Sequence, residues 1–519
     1  MTLKYRIKRL KNKDGIRSCI IINESNGLPL VYPNLYMSVI SRTNSYSLST
    51  MEAIANALLL FERYNADMNV GVFDMVNLDI EKLVSNRGYL FGLMNALTYR
   101  NDLENVTSIL KEQHVSKRTL YFKIMTIEIA KRLMNELAVR PIFMIVPTLR
   151  CDHTCKYCQV SRASVTADGY DLNPKLIPQI VSTIKKLGTP PYKVEVQGGE
   201  PLLRFDLVQS IYHECEISLG SDAFEMVIAT SLSLLDESIF SWVKERNITF
   251  SVSLDGNEAV HNKNRILTDF QAHNKAVTGI RKITEELGAN RVATVTTVTK
   301  ELTKEPASIV DAHLSLGLTD MFIRPVSPYG FAQKQSFTFS MPEYFDFYKE
   351  LMQEVLLQNE KGVPVIEHSA AIHIKRIFNT GFSGYADLKS PSGVVLNCIL
   401  FNYDGKVYGS DESRMLQKVN PEADFSAGEF ASLSFSSNEY YRSALSSSFN
   451  FAMPGCDTCA YQPFCGADPC QNISVHGEPV GDKSRSTFCQ YHKGMFRFLL
   501  NEISQDGPMA KMLKGWAYV

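Results

Sequence analysis

Cysteine carries the first chemistry the sequence shows. Cys151, Cys155 and Cys158 are spaced C-x3-C-x2-C within one run, Leu149-Arg-Cys-Asp-His-Thr-Cys-Lys-Tyr-Cys. Three thiolates on a tight loop can ligate three irons of a [4Fe–4S] cube, which ordinarily takes four cysteines. The fourth iron is then open to a substrate or cofactor. The alternative is structural zinc, with His153 as the fourth ligand. A second group lies far downstream: Cys456, Cys459, Cys465, Cys470 and Cys489, spaced C-x2-C-x5-C-x4-C-x18-C, with Cys398 ahead of them. Cys19 and Cys215 stand alone and read as small core residues.

The preference for metal over disulfides rests on compartment. No apolar stretch approaches the roughly 20 residues of a membrane span, and Cys19-Ile-Ile-Ile is too short for a signal-peptide core. A cytoplasmic location is the expectation, and there disulfides are rare. A formal net charge of −1 and a pI near 6.8 give no reason to expect a membrane surface or nucleic acid as partner.

Regular elements must hold these cysteines, and the chain between the two groups supplies them. A length of 519 residues suggests about three domains. Six short strands are expected at 142–146, 193–197, 225–230, 248–254, 292–298 and 321–324, with helical stretches such as 173–187, 234–245, 272–287 and 306–316 between them. Strands alternating with helices imply a parallel α/β arrangement, a partial (β/α)6 TIM-like barrel over 139–335 with functional residues at the C-terminal strand ends. Residues 1–138 read as a mostly helical accessory region. It has a strand and turn at 18–27, helices at 49–64 and 120–139, and a solvated basic run at 4–13. Connecting helices are expected at 336–390. Residues 391–519 are rich in Gly, Ser and Cys, where metal ligation substitutes for a large core, and a single helix over about 493–513 closes the chain.

The cysteine loop, with Tyr157 before its last thiol, resembles the radical S-adenosylmethionine (radical SAM) superfamily, and the resemblance continues along the strands. It implies that S-adenosylmethionine chelates the open iron through its amino and carboxylate groups. An electron then cleaves it to methionine and a 5′-deoxyadenosyl radical that takes a hydrogen from substrate. Gln197-Gly198-Gly199-Glu200-Pro201 is similar to the family segment that meets the amino group. Ser253 and Arg265, in Ser251-Val-Ser-Leu-Asp-Gly and His261-Asn-Lys-Asn-Arg, would hold the ribose and carboxylate. Tyr157, Gly198, Gly199, Glu200, Ser253 and Arg265 are thus the expected cofactor-binding residues. Asp255 is open to a purely structural reading. Ala229-Thr-Ser departs from the family's Thr-Asn-Gly, and Arg324 ends the sixth strand towards the opening.

The downstream cysteines resemble a SPASM domain, the auxiliary-cluster module of peptide-modifying radical SAM enzymes. The resemblance implies one auxiliary [4Fe–4S] cluster on Cys456, Cys459, Cys465 and Cys489. A second would use Cys398 and Cys470, but Ser410 replaces the expected third thiol. Either that cluster is absent, which is the expectation, or an unusual ligand such as Asp411 completes it. Asp411 also matches an aspartate proposed as the catalytic base in sulfatase-maturing relatives. Within this class the segments 149–162, 405–414 and 465–469 look closest to the His-Xaa-Ser system radical SAM maturases. The implied partners are a peptide or small protein substrate, a partner maturase, and an electron donor such as flavodoxin or ferredoxin. Two other readings stand beside this one. One is a sulfatase-type maturase oxidising Cys or Ser; the other is a non-catalytic partner- or nucleic-acid-binding protein with structural clusters.

Overall fold

Period-two burial along the strands builds the framework. In the computed structural model, β3 (Ile142–Ile145), β4 (Tyr192–Val196), β5 (Phe224–Thr230), β6 (Ile248–Ser253), β7 (Val292–Val298) and β8 (Asp320–Pro325) lie side by side in chain order, all parallel. One face of each strand is apolar and buried, as with Ile145, Val196, Ile228, Phe250, Val298 and Ile323. The other face turns into a shared chamber, one residue per strand being Met144, Glu195, Ala229, Ser253, Thr297 and Arg324. Successive side chains of a strand alternate between faces, so the polar inner row follows from the apolar outer row.

Helices cover the apolar face. These are α1 (Ile177–Leu187), α2 (Phe205–Leu219), α3 (Glu237–Lys244), the short α4 (Glu258–Asn264), α5 (Ala272–Leu287) and α6 (Pro306–Leu314). In α1 the buried residues Ile177, Ile180, Val181, Ile184 and Leu187 form one helical stripe. Next come α7 (Met341–Glu360), the two-residue β9 (Ile366–Glu367) and α8 (His368–Phe378). Glu367 is buried because it caps α8, accepting from the N–H groups of Ser369 at 2.9 Å and Ala370 at 2.7 Å and from the Tyr348 hydroxyl.

The sheet runs beyond the six expected strands. β10 (Cys398–Phe401) returns from the C-terminal region and pairs parallel to β3, setting Cys398 opposite Ile142. β11 (Lys406–Tyr408) and β12 (Gly428–Glu429) extend that edge antiparallel, and β9 adds a parallel rung beside β8. The cysteine-rich region therefore shares the barrel's sheet. It contributes α9 (Asp411–Val419), α10 (Pro469–His476), α11 (Thr487–Ser504) and α12 (Pro508–Gly515). The single closing helix is corrected to two. Asp506 takes a φ of 52° and Pro508 lacks the N–H a continuing helix needs. Tyr344, Tyr348, Leu351, Ile374, Leu499 and Leu513 join α7, α8, α11 and α12 in one core with the outer faces of β7 and β8.

The structure describes residues 5–11, 17–24, 51–52, 55–56 and 59, then 141–518 with breaks at 335–338, 380–384, 391, 393–397, 431–443, 445–446, 449, 451–452, 457–458 and 482–484. Residues Met1–Thr119 and Leu120–Val519 are two compact units. In the first, β1 (Tyr5–Lys11) and β2 (Arg17–Asn23) form an antiparallel hairpin. The basic run read as solvated is thus a strand. Arg6, Lys8 and Arg9 are exposed on it, while Ile7 packs with Cys19, Ile21, Met51, Ala55 and Leu59. The last three, at helical spacing, fall within the expected helix at 49–64; the helix expected at 120–139 lies outside the described residues. Among the described residues no helix is long and apolar enough to cross a membrane.

Candidate functional site

The thiol loop follows β3 and is stapled from three sides. Cys151 N–H donates to Ala163 O at 3.2 Å and Ala163 N–H to Leu149 O at 2.8 Å. Thr154 and Lys156 N–H groups donate to Ile266 and Asn264 carbonyls at 2.7 and 2.9 Å, and Phe331 N–H to Cys158 O at 2.8 Å. Gly330, at φ +58°, lies so close that a Cβ would stand 2.3 Å from Gln159 O. Asp171 ties the base of the loop to Arg150 at 2.6 Å, Arg204 at 2.6 Å and the Thr148 hydroxyl at 2.7 Å. Although burial works the other way, these donors hold its carboxyl below the usual range.

All three thiols line one chamber of about 490 Å³. Burial raises the Cys151 thiol well above its ordinary value, with the charges of Cys155, Glu200 and Asp152 adding to it. Burial pushes Cys155 up to about 11 against the opposing pull of Arg265. Thiols crowded together in a dry site resist ionisation unless a cation joins them, which is what an iron cluster would supply. The donor set fits that group. For the zinc alternative, ligand atoms of Cys151, Asp152 and His153 lie within 4.8 Å of one another. Asp152 is, however, already shared between His153 at 2.8 Å and the Ser233 hydroxyl at 2.6 Å.

The glycine segment sits beside this loop for a steric reason. Gly198 has a φ of +145°, and a Cβ there would stand 2.4 Å from Thr148 O; on Gly199 it would stand 2.1 Å from Arg150 O. Only glycine lets these two backbones meet. Glu200 lines the same chamber. At 2% exposure, its carboxylate accepts from the Thr230 hydroxyl at 2.6 Å, from Ser231 N–H and hydroxyl at 2.9 and 2.7 Å, and from Leu202 N–H at 3.1 Å, joining two strand ends.

Tyr157, Asp255 and Arg265 form a second buried unit. Asp255, fully buried, accepts from the Tyr157 hydroxyl and from Thr297 N–H at 3.1 Å, and Arg265 Nε stands 3.4 Å from it. The guanidinium lies over the Tyr157 ring at 5.3 Å. Burial opposes its charge, but Tyr157, Cys155 and Asp255 raise it above the usual arginine range. Asp255 thereby has the structural part the sequence left open, fixing Arg265 beside Cys155. Ser253 and Arg265 both line the chamber.

The C-terminal thiols divide into two sets. Cys465 is raised by burial and by the charges of Cys456, Cys489 and Cys459, so these four are gathered. Cys489 opens α11 and Cys456 N–H donates to Met453 O at 3.1 Å. Four thiols suit one closed cluster. Cys398 and Cys470 lie apart from them, both facing Glu412, and Cys470 is hydrogen-bonded to Ser410. The Ser410 hydroxyl caps α9, accepting from Ser413 N–H at 3.1 Å. Two thiols and a capping hydroxyl do not fit a second cube.

Asp411 lines the chamber, but its carboxylate is bound by Arg414 at 2.5 and 2.8 Å. The sequence missed an acidic group around it. Glu412 is pushed up to about 8 by burial and by Asp387, Asp411 and Asp468. Burial and Asp387 push Asp468 up to about 7; burial and Asp411 do the same to Glu195. Glu195 and Arg324 were legible as inward positions on their strands. Asp387 and Asp468 come from loops that carry no such signal.

Residues 145–311 match the model described as the Radical SAM superfamily. An uncharacterized protein of Methanocaldococcus jannaschii is 29% identical over 111 residues, covering 21% of this chain and 37% of that protein. A protein of Archaeoglobus fulgidus named probable GTP 3′,8-cyclase is 31% identical over 142 residues, covering 27% and 44%. The chain thus spans about two fifths of the length of these curated relatives. Among solved structures, anSMEcpe with bound AdoMet and Cp18Cys peptide superposes with a TM-score of 0.56 at 14% identity, covering 72% of this chain and 99% of that one. Streptococcus suis SuiB bound to precursor peptide SuiA gives 0.50 at 12%, covering 93% and 98%. These likenesses are of fold.

Proposed function

We propose that this chain is a radical SAM enzyme that modifies a peptide or small protein. The observation that carries the reading is the chamber itself. The three thiols, Ser253 and Arg265 open into it at one end, and Arg324, Tyr385 and Glu412 line the other. A purely structural cluster would have no use for such a space. Cys151, Cys155 and Cys158 would hold a [4Fe–4S] cluster, and Cys456, Cys459, Cys465 and Cys489 an auxiliary one. With S-adenosylmethionine bound, the first group supplies one-electron chemistry that ends in hydrogen abstraction from substrate. Arg265, held in place by Asp255 and Tyr157, offers a fixed guanidinium to a carboxylate. Gly198 and Gly199 line the same chamber.

A peptide as substrate is supported by the neighbours of the same fold, which are seen with peptides bound. The finer assignment, a maturase of the His-Xaa-Ser type working with a partner maturase and a flavodoxin- or ferredoxin-like donor in the cytoplasm, rests on the sequence segments alone. The sulfatase-type reading is weakened by the Asp411–Arg414 pair and the capping duty of Ser410. The test is anaerobic reconstitution with iron and sulfide, then S-adenosylmethionine and a chemical reductant. The protein should bind about eight irons, two cubes of four, and release 5′-deoxyadenosine; Cys155→Ala should release none. Cluster-loaded protein that makes none, or a variant that matches wild type, overturns the proposal.

A further inference from the structure

Beyond the thiols, a second cavity of about 260 Å³ adjoins the chamber, and the two share Arg324, Ser327, Tyr385, Asp387 and Glu412. Asp468 joins Asp387 and Glu412 in its wall. Arg324 stands in the same wall and acts on Asp387. Of the other cations nearby, Arg414 holds Asp411, and the buried Lys389 lies by Cys398, which also faces Glu412. Asp387 takes the Tyr385 hydroxyl, and Asp468 caps α10 through Gln471 N–H at 2.8 Å. Glu412 has no ion pair among the described residues. Tyr329, 2% exposed, belongs to the same wall, with its hydroxyl set against Asp468.

Buried like charges repel, and a cation entering among them relieves both the repulsion and the desolvation. The wall decides which cation. A hard divalent ion wants an oxygen shell with waters, whereas here Phe339, Met341 and Phe488 make up much of the surface. Apolar and aromatic groups beside carboxylates suit an aliphatic stem ending in a charge. We propose that this cavity receives a lysine or arginine side chain of the substrate. Glu412, Asp387, Asp468 and the Tyr329 hydroxyl hold its head, and Phe339, Met341 and Phe488 its stem. The inference rests on the peptide-modifying reading and names the residue class that enters.

The probes are blocked glycine pentapeptides bearing lysine, arginine, norleucine or glutamate at the centre, titrated by ligand-observed NMR into the reconstituted full-length protein. Lysine and arginine peptides should bind about tenfold more tightly than norleucine, as a charge-assisted contact implies. Glu412→Gln should remove most of that preference and leave norleucine binding as it was. Asp387→Asn, a second near-isosteric change, guards against misfolding and should act in the same direction. Equal binding across the series, binding by none of them, preference for glutamate, or displacement of the lysine peptide by millimolar magnesium each overturns the proposal. Release of 5′-deoxyadenosine without peptide is measured in parallel. Protein that cleaves S-adenosylmethionine but ignores charge fails here alone; protein that selects lysine without cleavage fails only the radical reading.

Discussion

The two ends of the chamber are built on opposite principles. At the thiol end polar groups are matched: Asp171 by Arg150 and Arg204, Glu200 by Thr230 and Ser231, Asp255 by Tyr157 and Thr297. At the far end Asp387, Glu412 and Asp468 stand in one wall with Arg324. A matched end holds something whose position must not vary. An end with surplus charge is complete only when an opposite charge arrives. Substitutions should therefore cost stability at the first end and add it at the second.

The largest effect should come from Arg265→Gln, which leaves Asp255 buried without its cation. Breaking a buried pair on one side costs about 3–5 kcal/mol, read as a lowered urea midpoint, and S-adenosylmethionine binding should fall with it. A variant as stable as wild type would show that the end is less tightly matched than its contacts suggest. Gly199→Ala follows, because its Cβ meets a backbone oxygen that has no rotamer to escape into. A loss of about 3 kcal/mol is expected, together with reduced iron loading from displacement of the Arg150–Cys151 backbone.

Ser410→Ala sharpens the contrast between the two C-terminal thiol sets. Loss of the α9 cap should cost about 1 kcal/mol, with iron content unchanged because the serine ligates nothing. A fall in iron on this substitution would restore the second auxiliary cluster. The smallest effect is at the acidic end and has the opposite sign. Glu412 ionises near pH 8 in the folded chain, against an ordinary value of 4.5. The unfolded chain releases this proton first, so the fold loses stability as pH rises from about 4.5 to about 8 and no further beyond. Asp387, Asp411 and Asp468 face Glu412 and deepen the effect, and Arg324 lines the same cavity. Glu412→Gln should melt like wild type at pH 4 and above it at pH 9. Equal melting at both would mean that a cation already balances the group.

How much of this could be read in advance follows from the range of each interaction. The barrel strands were legible because alternation is a local property, and β7 and α5 fall where their patterns place them. The inward row came with it, so Ser253 and Arg324 were visible as chamber residues. β1 was not, since Arg6, Lys8, Arg9 and Lys11 crowd a short segment with few apolar residues, which reads locally as solvated. The break between α11 and α12 was available in Asp506-Gly-Pro and was passed over.

Sequence alone determined the thiol loop, its two glycines and the strands that carry them, because spacing over a few residues fixes which atoms a tight loop can bring together. Only the tertiary structure decided what the charged side chains do. Glu200 went to Thr230 and Ser231, Asp411 to Arg414. Asp387, from the connecting region, came together with Glu412 and Asp468 of the C-terminal region. A carboxylate acts over several ångströms on whatever the fold places near it, and its partners lie at sequence distances no local pattern records.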